Sequence, residues 1–171
     1  SQISPHFLFN SLNNIHLLIL KDQHTAADYT ILLSSLLRYM LYESKKEQTT
    51  LQKELECVDN YLTLVEIRME KTNRKKLNVE VENATIKIIP LLLVSLLENG
   101  IKHSGITYLE DAYLDFSVYQ KKDQLAVKMK NSIDPNRKIV ESSANRIGLN
   151  NLKKRLVLNY PDQHRFSLNI K

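Results

Sequence analysis

Ile89-Pro90-Leu91-Leu92-Leu93-Val94-Ser95-Leu96-Leu97-Glu98-Asn99-Gly100-Ile101-Lys102-His103 is the stretch on which the fold turns. From Pro90 onward it is apolar on most sides, through Leu91, Leu92, Leu93, Val94, Leu96, Leu97 and Ile101. That run is long for a strand and suits a buried helix, with Pro90 in the first turn, where a missing N–H costs nothing. Its polar residues are not scattered. Ser95, Asn99, Lys102 and His103 fall at i, i+4, i+7 and i+8 and share one stripe. An asparagine oxygen is a neutral ligand suited to Mg²⁺ when phosphate oxygens complete the shell. Lys102 and His103 are placed to meet phosphate charge. The plain alternative is a helix with one wet edge.

On the C-terminal side, residues 112–119 and 124–131 alternate apolar and polar and read as a hairpin across Lys121-Lys122-Asp123. Residues 132–147 are polar and aperiodic, the length of a functional lid. Residues 148–159 return to helical spacing, and 165–170 alternate as a final strand. A helix opening at Gly148-Leu149 would present free N–H groups and a positive dipole end to an anion; a simple capping or close-packing glycine is the bland reading.

On the N-terminal side, residues 77–82 alternate as a strand, and Leu51, Leu55, Val58, Leu62, Val65 and Met69 stripe a helix over 51–70 behind a Thr50 cap. Two further amphipathic helices, 5–20 and 25–43, are joined by the short link Lys21-Asp22-Gln23-His24 and should form an antiparallel hairpin. Such a hairpin buries little alone and is expected to pair with a second copy as a four-helix bundle, giving a homodimer. The fold class is therefore α+β: a helical segment over 1–50, then a unit over 51–171 with one layer of helices and one sheet.

Composition excludes little but is consistent with this. The 171 residues are 43% hydrophobic and 25% charged, the balance of a globular chain. Cys57 is the single cysteine, so no internal disulfide forms. A net charge of +5 is compatible with nucleic acid, anionic lipid or a phosphorylated ligand, but the basic residues are scattered, and the one dense run, Arg74-Lys75-Lys76, reads as a solvated loop rather than a nucleic-acid stripe. No run of apolar residues is long enough to span a bilayer. The chain starts abruptly at Ser1, as a piece of something longer would.

His6 opens the first helix, sharing a face with Asn10 and lying beside Asn13. An imidazole is nucleophilic at neutral pH and accepts phosphoryl groups, although a lone helical histidine is usually a surface or capping residue. Gln2-Ile3-Ser4-Pro5-His6-Phe7-Leu8-Phe9-Asn10-Ser11-Leu12-Asn13 closely resembles the phosphoacceptor motif of LytS-like sensor histidine kinases. Leu36-Leu37-Arg38-Tyr39, Glu54-Leu55, Tyr61-Leu62 and Glu66-Ile67-Arg68 also fit that pattern. Residues 89–103 are similar to the family's N box, and Ile147-Gly148-Leu149-Asn150-Asn151-Leu152 through Arg155-Leu156 to its glycine box after the lid.

The resemblance implies a two-layer ATP-binding sandwich of the kind shared with gyrase and Hsp90, and a protein-histidine kinase that autophosphorylates His6 from ATP with Mg²⁺. It implies relay to an aspartate on a response regulator, often of the LytTR type, with no direct nucleic-acid contact. It also implies a membrane anchor ahead of the chain, making this the cytoplasmic domain of an inner-membrane sensor. Asn99 carries over as the Mg²⁺ ligand, and Ser95, Lys102, His103, Gly148 and Leu149 line the nucleotide. Three positions depart from the pattern. Asn131 stands where relatives carry the adenine-binding aspartate, and its side-chain oxygen can accept from the adenine amino group. Arg146 replaces a glycine. Phe7 stands where many histidine kinases place an acid, so no base for the imidazole proton is evident. The thin glycine boxes leave a degenerate, ATP-binding or dimerising scaffold as the alternative, and a purely hydrolytic gyrase-like ATPase as a second.

Overall fold

The computed structural model describes residues 5–69, 72–134 and 143–169; the side chains of residues 5, 6 and 143–147 lie outside that description, as do residues 1–4 of the first motif. Helices α1 (Pro5–Lys21) and α2 (Gln23–Tyr42) form the expected hairpin. The reversal is made by Asp22, whose carboxylate accepts from the His24 and Thr25 amides at 3.0 and 3.2 Å, capping α2. A 3-10 turn (Glu43–Lys45) leads to the two-residue strand β1 (Thr49–Thr50) and then α3 (Leu51–Glu66). Thr50 caps α3 by accepting from the Lys53 amide.

Strand β2 (Arg74–Val81), β3 (Lys87–Ile88), α4 (Leu92–Ser104), β4 (Tyr113–Lys121), β5 (Gln124–Asn131) and α5 (Ser143–Asn159) complete the order. The main sheet runs β2-β4-β5, with β2 parallel to β4 and β4 antiparallel to β5; β1 and β3 pair separately. In β4 every second residue is buried, so Leu114, Phe116 and Val118 enter the core. Leu93, Val94 and Leu97 of α4 meet them, and α2 and α3 add Leu36, Leu51, Val58 and Leu62. Each such fully buried side chain contributes about 1.5–3 kcal/mol. Gly100 lets α4 approach this sheet: a Cβ there would fall 2.3 Å from the Met129 sulfur of β5. Gly105 ends α4 at φ +69, a left-handed cap.

The α+β class, a helical segment followed by a layered α/β unit, is what the structure shows. Several local expectations are corrected. Arg74-Lys75-Lys76 is not a loop but the start of β2, paired with residues 113–115 of β4. Basic side chains suit it because β2 is an edge strand, where charge discourages further pairing. Helix α4 begins at Leu92, two residues after Pro90. Helix α5 begins at Ser143, so part of the expected lid is helical; residues 135–142 lie outside the described residues. Residues 165–169 form no strand. Alternation alone supplies no ladder partner, and Phe166 instead lies 4.9 Å from the Lys153 ammonium of α5.

Candidate functional site

The polar stripe of α4 is real and largely occupied with its own helix. The Ser95 hydroxyl donates to the Leu91 carbonyl at 2.5 Å, and the Asn99 amide nitrogen donates to the Ser95 carbonyl at 2.7 Å. That second bond orients the amide, turning Asn99 Oδ1 toward α5. There it meets Gly148: a Cβ on that residue would lie 2.6 Å from Asn99 Oδ1. The structure thus brings Ser95, Asn99 and Gly148 together, with the half-buried Leu149 beside them in sequence.

Gly148 does this in a way the sequence did not indicate. Because α5 starts at Ser143, Gly148 lies in its second turn, where backbone N–H groups are spent inside the helix. The expectation of free N–H groups at Gly148 and Leu149 is therefore corrected for this conformation; the glycine's visible role is close packing. The Arg146 side chain is outside the described residues.

At the other end of α4, Lys102 is exposed and His103 half-buried, and the His103 carbonyl accepts from the Asp134 amide at 3.2 Å. Asn131 closes β5, its amide donating to the Ser132 carbonyl at 2.6 Å. Ser132 ties that strand end to the helix by donating to the Ser104 carbonyl at 2.7 Å. Asp134, buried, accepts from the Tyr108 hydroxyl at 2.7 Å. Asn131, Lys102 and His103 thus share the C-terminal end of α4, while Asn99 sits a turn earlier.

His6 falls in the first turn of α1; its side chain is outside the described residues. What anchors that turn is its neighbour. The Phe7 ring stacks on Tyr61 of α3, centroids 5.3 Å apart and planes 21° from parallel, worth about 0.5–1.5 kcal/mol beyond burial. Burial pushes the Tyr61 phenol far above its ordinary range, and the charge of Glu98 on α4 pushes the same way, so Tyr61 stays neutral. Glu98 is itself raised by burial, with Lys102 opposing. The histidine-bearing turn, α3 and the Asn99 helix are therefore consecutive neighbours. Asn10 is half-buried one turn further along α1.

Sequence reasoning missed one arrangement. Glu54 is fully buried and its carboxylate accepts from the Leu91 and Leu93 amides at 2.6 and 2.9 Å, and from the Tyr39 hydroxyl. Arg155 of α5 donates to the Pro90 carbonyl alongside. The signal was present: Glu54 lies three residues after Leu51 and four before Val58, on the apolar stripe of α3.

The sequence that builds this hairpin matches a known family. The family profile described as "Histidine kinase" covers residues 1–73. Residues 1–73 thus belong to the histidine kinase family, and the chain is LytS-like. It is similar to the "Sensor histidine kinase/phosphatase LytS" of Staphylococcus aureus strains MRSA252, Mu50 and N315, 35% identical over 121 residues in each. Those matches take in 71% of this chain and 21% of each relative, so the chain spans about a fifth of the proteins it resembles.

Proposed function

We propose that this chain is the kinase core of a sensor histidine kinase, transferring a phosphoryl group from Mg²⁺-ATP to His6 and onward to a response-regulator aspartate. The observation that carries the reading is the placement of the His6 turn against Tyr61 of α3, a helix that also packs on the helix of Glu98 and Asn99. A donor phosphate held on α4 and an acceptor on α1 would then share one wall.

The residues fit a nucleotide-borne metal ion. Among the described residues no group of three or more His, Cys, Asp or Glu side chains gathers. Asn99 offers one neutral oxygen, the contribution expected when phosphates and water supply the rest of an octahedral shell. Bound Mg²⁺-ATP would bring the transferable phosphoryl group and the charge neutralisation that such transfers rely on. Asn99 Oδ1 would hold the ion, Lys102 and His103 would face phosphate oxygens, and Asn131 would accept from adenine. Because Gly148 covers Asn99 Oδ1, α5 must draw back from α4 for this to happen; a glycine there lets it return without a clash. The neutral His6 imidazole would attack the terminal phosphorus in line, the phosphorus–oxygen bond to ADP breaking as the phosphorus–nitrogen bond forms, with ADP departing and the ring's surplus proton passing to water.

Dimerisation belongs to the same proposal. Phe9, Leu12, Ile19 and Leu20 are all exposed and fall within an arc of about 100° on α1. A second hairpin is the occupant that would cover them. No helix among the described residues is long and apolar enough to cross a membrane, and anchoring through preceding sequence is part of the proposal, as is a LytTR-type regulator. The relatives' name adds a phosphatase activity that the same His6 turn could serve. The Asn131 amide nitrogen is engaged by the Ser132 carbonyl, whereas the adenine role would use the side-chain oxygen.

The test is labelling of the full-length protein with γ-labelled ATP. Wild type should acquire acid-labile label and His6→Gln none; Asn99→Ala should lose the Mg²⁺-dependent part of nucleotide binding. Equal labelling in His6→Gln, or undiminished Mg²⁺-ATP binding by Asn99→Ala, overturns the corresponding role. Absence of any nucleotide binding at millimolar concentration favours the scaffold.

A further inference from the structure

The network around Glu54 does more than fill a core. Its carboxylate stands at the head of α4 and takes the Leu91 and Leu93 amides, two of the N–H groups a helix start leaves unpaired. It also places negative charge at the positive end of the helix dipole. Leu91 is held at φ 58, a left-handed conformation that a leucine adopts only where its surroundings over-determine it. The surroundings here come from four elements. Glu54 is on α3, the amides are on the α4 entrance, Arg155 of α5 grips the Pro90 carbonyl, and the Tyr39 hydroxyl comes from α2.

Tyr39 is the member that matters for regulation, because it belongs to the helical hairpin. Packing alone would be served by phenylalanine. The hydroxyl instead donates to Glu54 Oε1, the same oxygen that takes the Leu91 amide. Displacing α2 therefore removes a donor from a buried carboxylate, which is costly to leave under-satisfied. The carboxylate must then rearrange, and the amides of Leu91 and Leu93 are the groups it holds.

We propose that Tyr39 and Glu54 are positioning residues that couple the helical hairpin to the start of α4, so that movement of α2 resets the helix carrying Asn99. Its bearing on catalysis rests on the kinase reading above; the coupling itself does not. The latch has two discrete conditions, Tyr39 engaged and Tyr39 withdrawn, as a bistable element requires.

The decisive measurement is amide hydrogen exchange on the full-length protein, wild type against Tyr39→Phe. Loss of one hydrogen bond to a buried charged group should speed exchange at Leu91 and Leu93 about tenfold. The β4 and β5 amides should stay at wild-type rates. No change at Leu91 and Leu93, or a uniform rise across α4 and the sheet, overturns the coupling and leaves Tyr39 a packing residue. A Glu54→Gln protein supplies a cycle: adding Tyr39→Phe to it should have little further effect, whereas full additivity counts against the proposal. Should Glu54→Gln fail to fold, the Tyr39→Phe exchange pattern decides alone. In labelling, Tyr39→Phe should lower kcat with KM for ATP within twofold of wild type. If wild type forms no phosphohistidine, the kinase reading fails while the exchange pattern still decides the latch.

Discussion

Helix α1 of the hairpin and the α3–α4 layer are both helical, and they treat their apolar residues in opposite ways, while α2 buries Leu33, Leu36 and Met40 in the common core. In α4, Leu93, Val94 and Leu97 are buried against the sheet and α3. In α1, Phe9 and Leu12 are 66% and 58% exposed, and Leu20 is 73% exposed. Polar groups follow the same division. The α3–α4 layer takes in a carboxylate and saturates it with donors from other elements, whereas the hairpin is joined by an exposed cap at Asp22. One region is finished within the chain; the other presents a surface fit for a partner. The difference separates residues the fold uses from residues the proposed dimer would use.

The largest effect should come from testing that division directly. Leu97→Ala, in the finished region, should cost about 2–5 kcal/mol by chemical denaturation, since the cavity it leaves cannot collapse against a sheet. Leu12→Ser should leave monomer stability within about 0.5 kcal/mol and shift the protein toward monomer in light scattering. Equal destabilisation by both would erase the contrast.

A middle-sized effect is expected at Gly148. Gly148→Ala places a methyl 2.6 Å from Asn99 Oδ1 and should cost about 1–3 kcal/mol. Combining it with Asn99→Ala should recover much of that loss, because the obstructing amide is gone. Gly100→Ala is the control: its obstruction includes the flexible end of Met129.

The smallest effect is electrostatic. Glu98 is raised above its ordinary 4.5 by burial, so the folded state holds its proton more tightly than the unfolded chain. Its stabilising contribution is complete below about pH 4.5 and is lost as pH rises through the raised value. Glu98→Gln should therefore show a smaller fall in Tm between pH 4.5 and 7 than wild type. Glu54 has the same sign and remains in both proteins. Asp22 and Glu43 are held below their ordinary values and act only beneath this window.

Periodic signals were legible and contingent ones were not. The stripe of α3, the alternation of β4 and the hairpin link at Asp22 could be read because each is local in sequence. The start of α4 could not. Pro90 looked like a first-turn proline, but the cap is a carboxylate 37 residues away and the residue between adopts a positive φ. The strands β1 and β3 are two residues each, too short for any period to show. Alternation at 165–169 was misleading because a strand needs a ladder partner, which sequence does not display. At the site, Asn99 was visible as a polar residue on a greasy helix. Its apposition to Gly148 was not, because it depends on α5 beginning five residues earlier than the glycine suggests.

The parallel pairing of β2 with β4 has a consequence for how the chain acquires its structure. β4 and β5 are joined by Lys122 and Asp123 alone, with Lys122 at φ 51, and a hairpin of that kind forms in about 1–10 μs. β2 cannot join its neighbour so simply. The chain leaves it at Val81, traverses β3 and all of α4, and returns at Tyr113. Closing that loop is an entropic debt that only the docked α4 repays. Assembly should thus be ordered in time: local hairpins first, α4 onto the β4–β5 ribbon next, and β2 last. Until that final step β4 keeps an open edge, which makes the late intermediate, rather than the native protein, the species most exposed to aggregation.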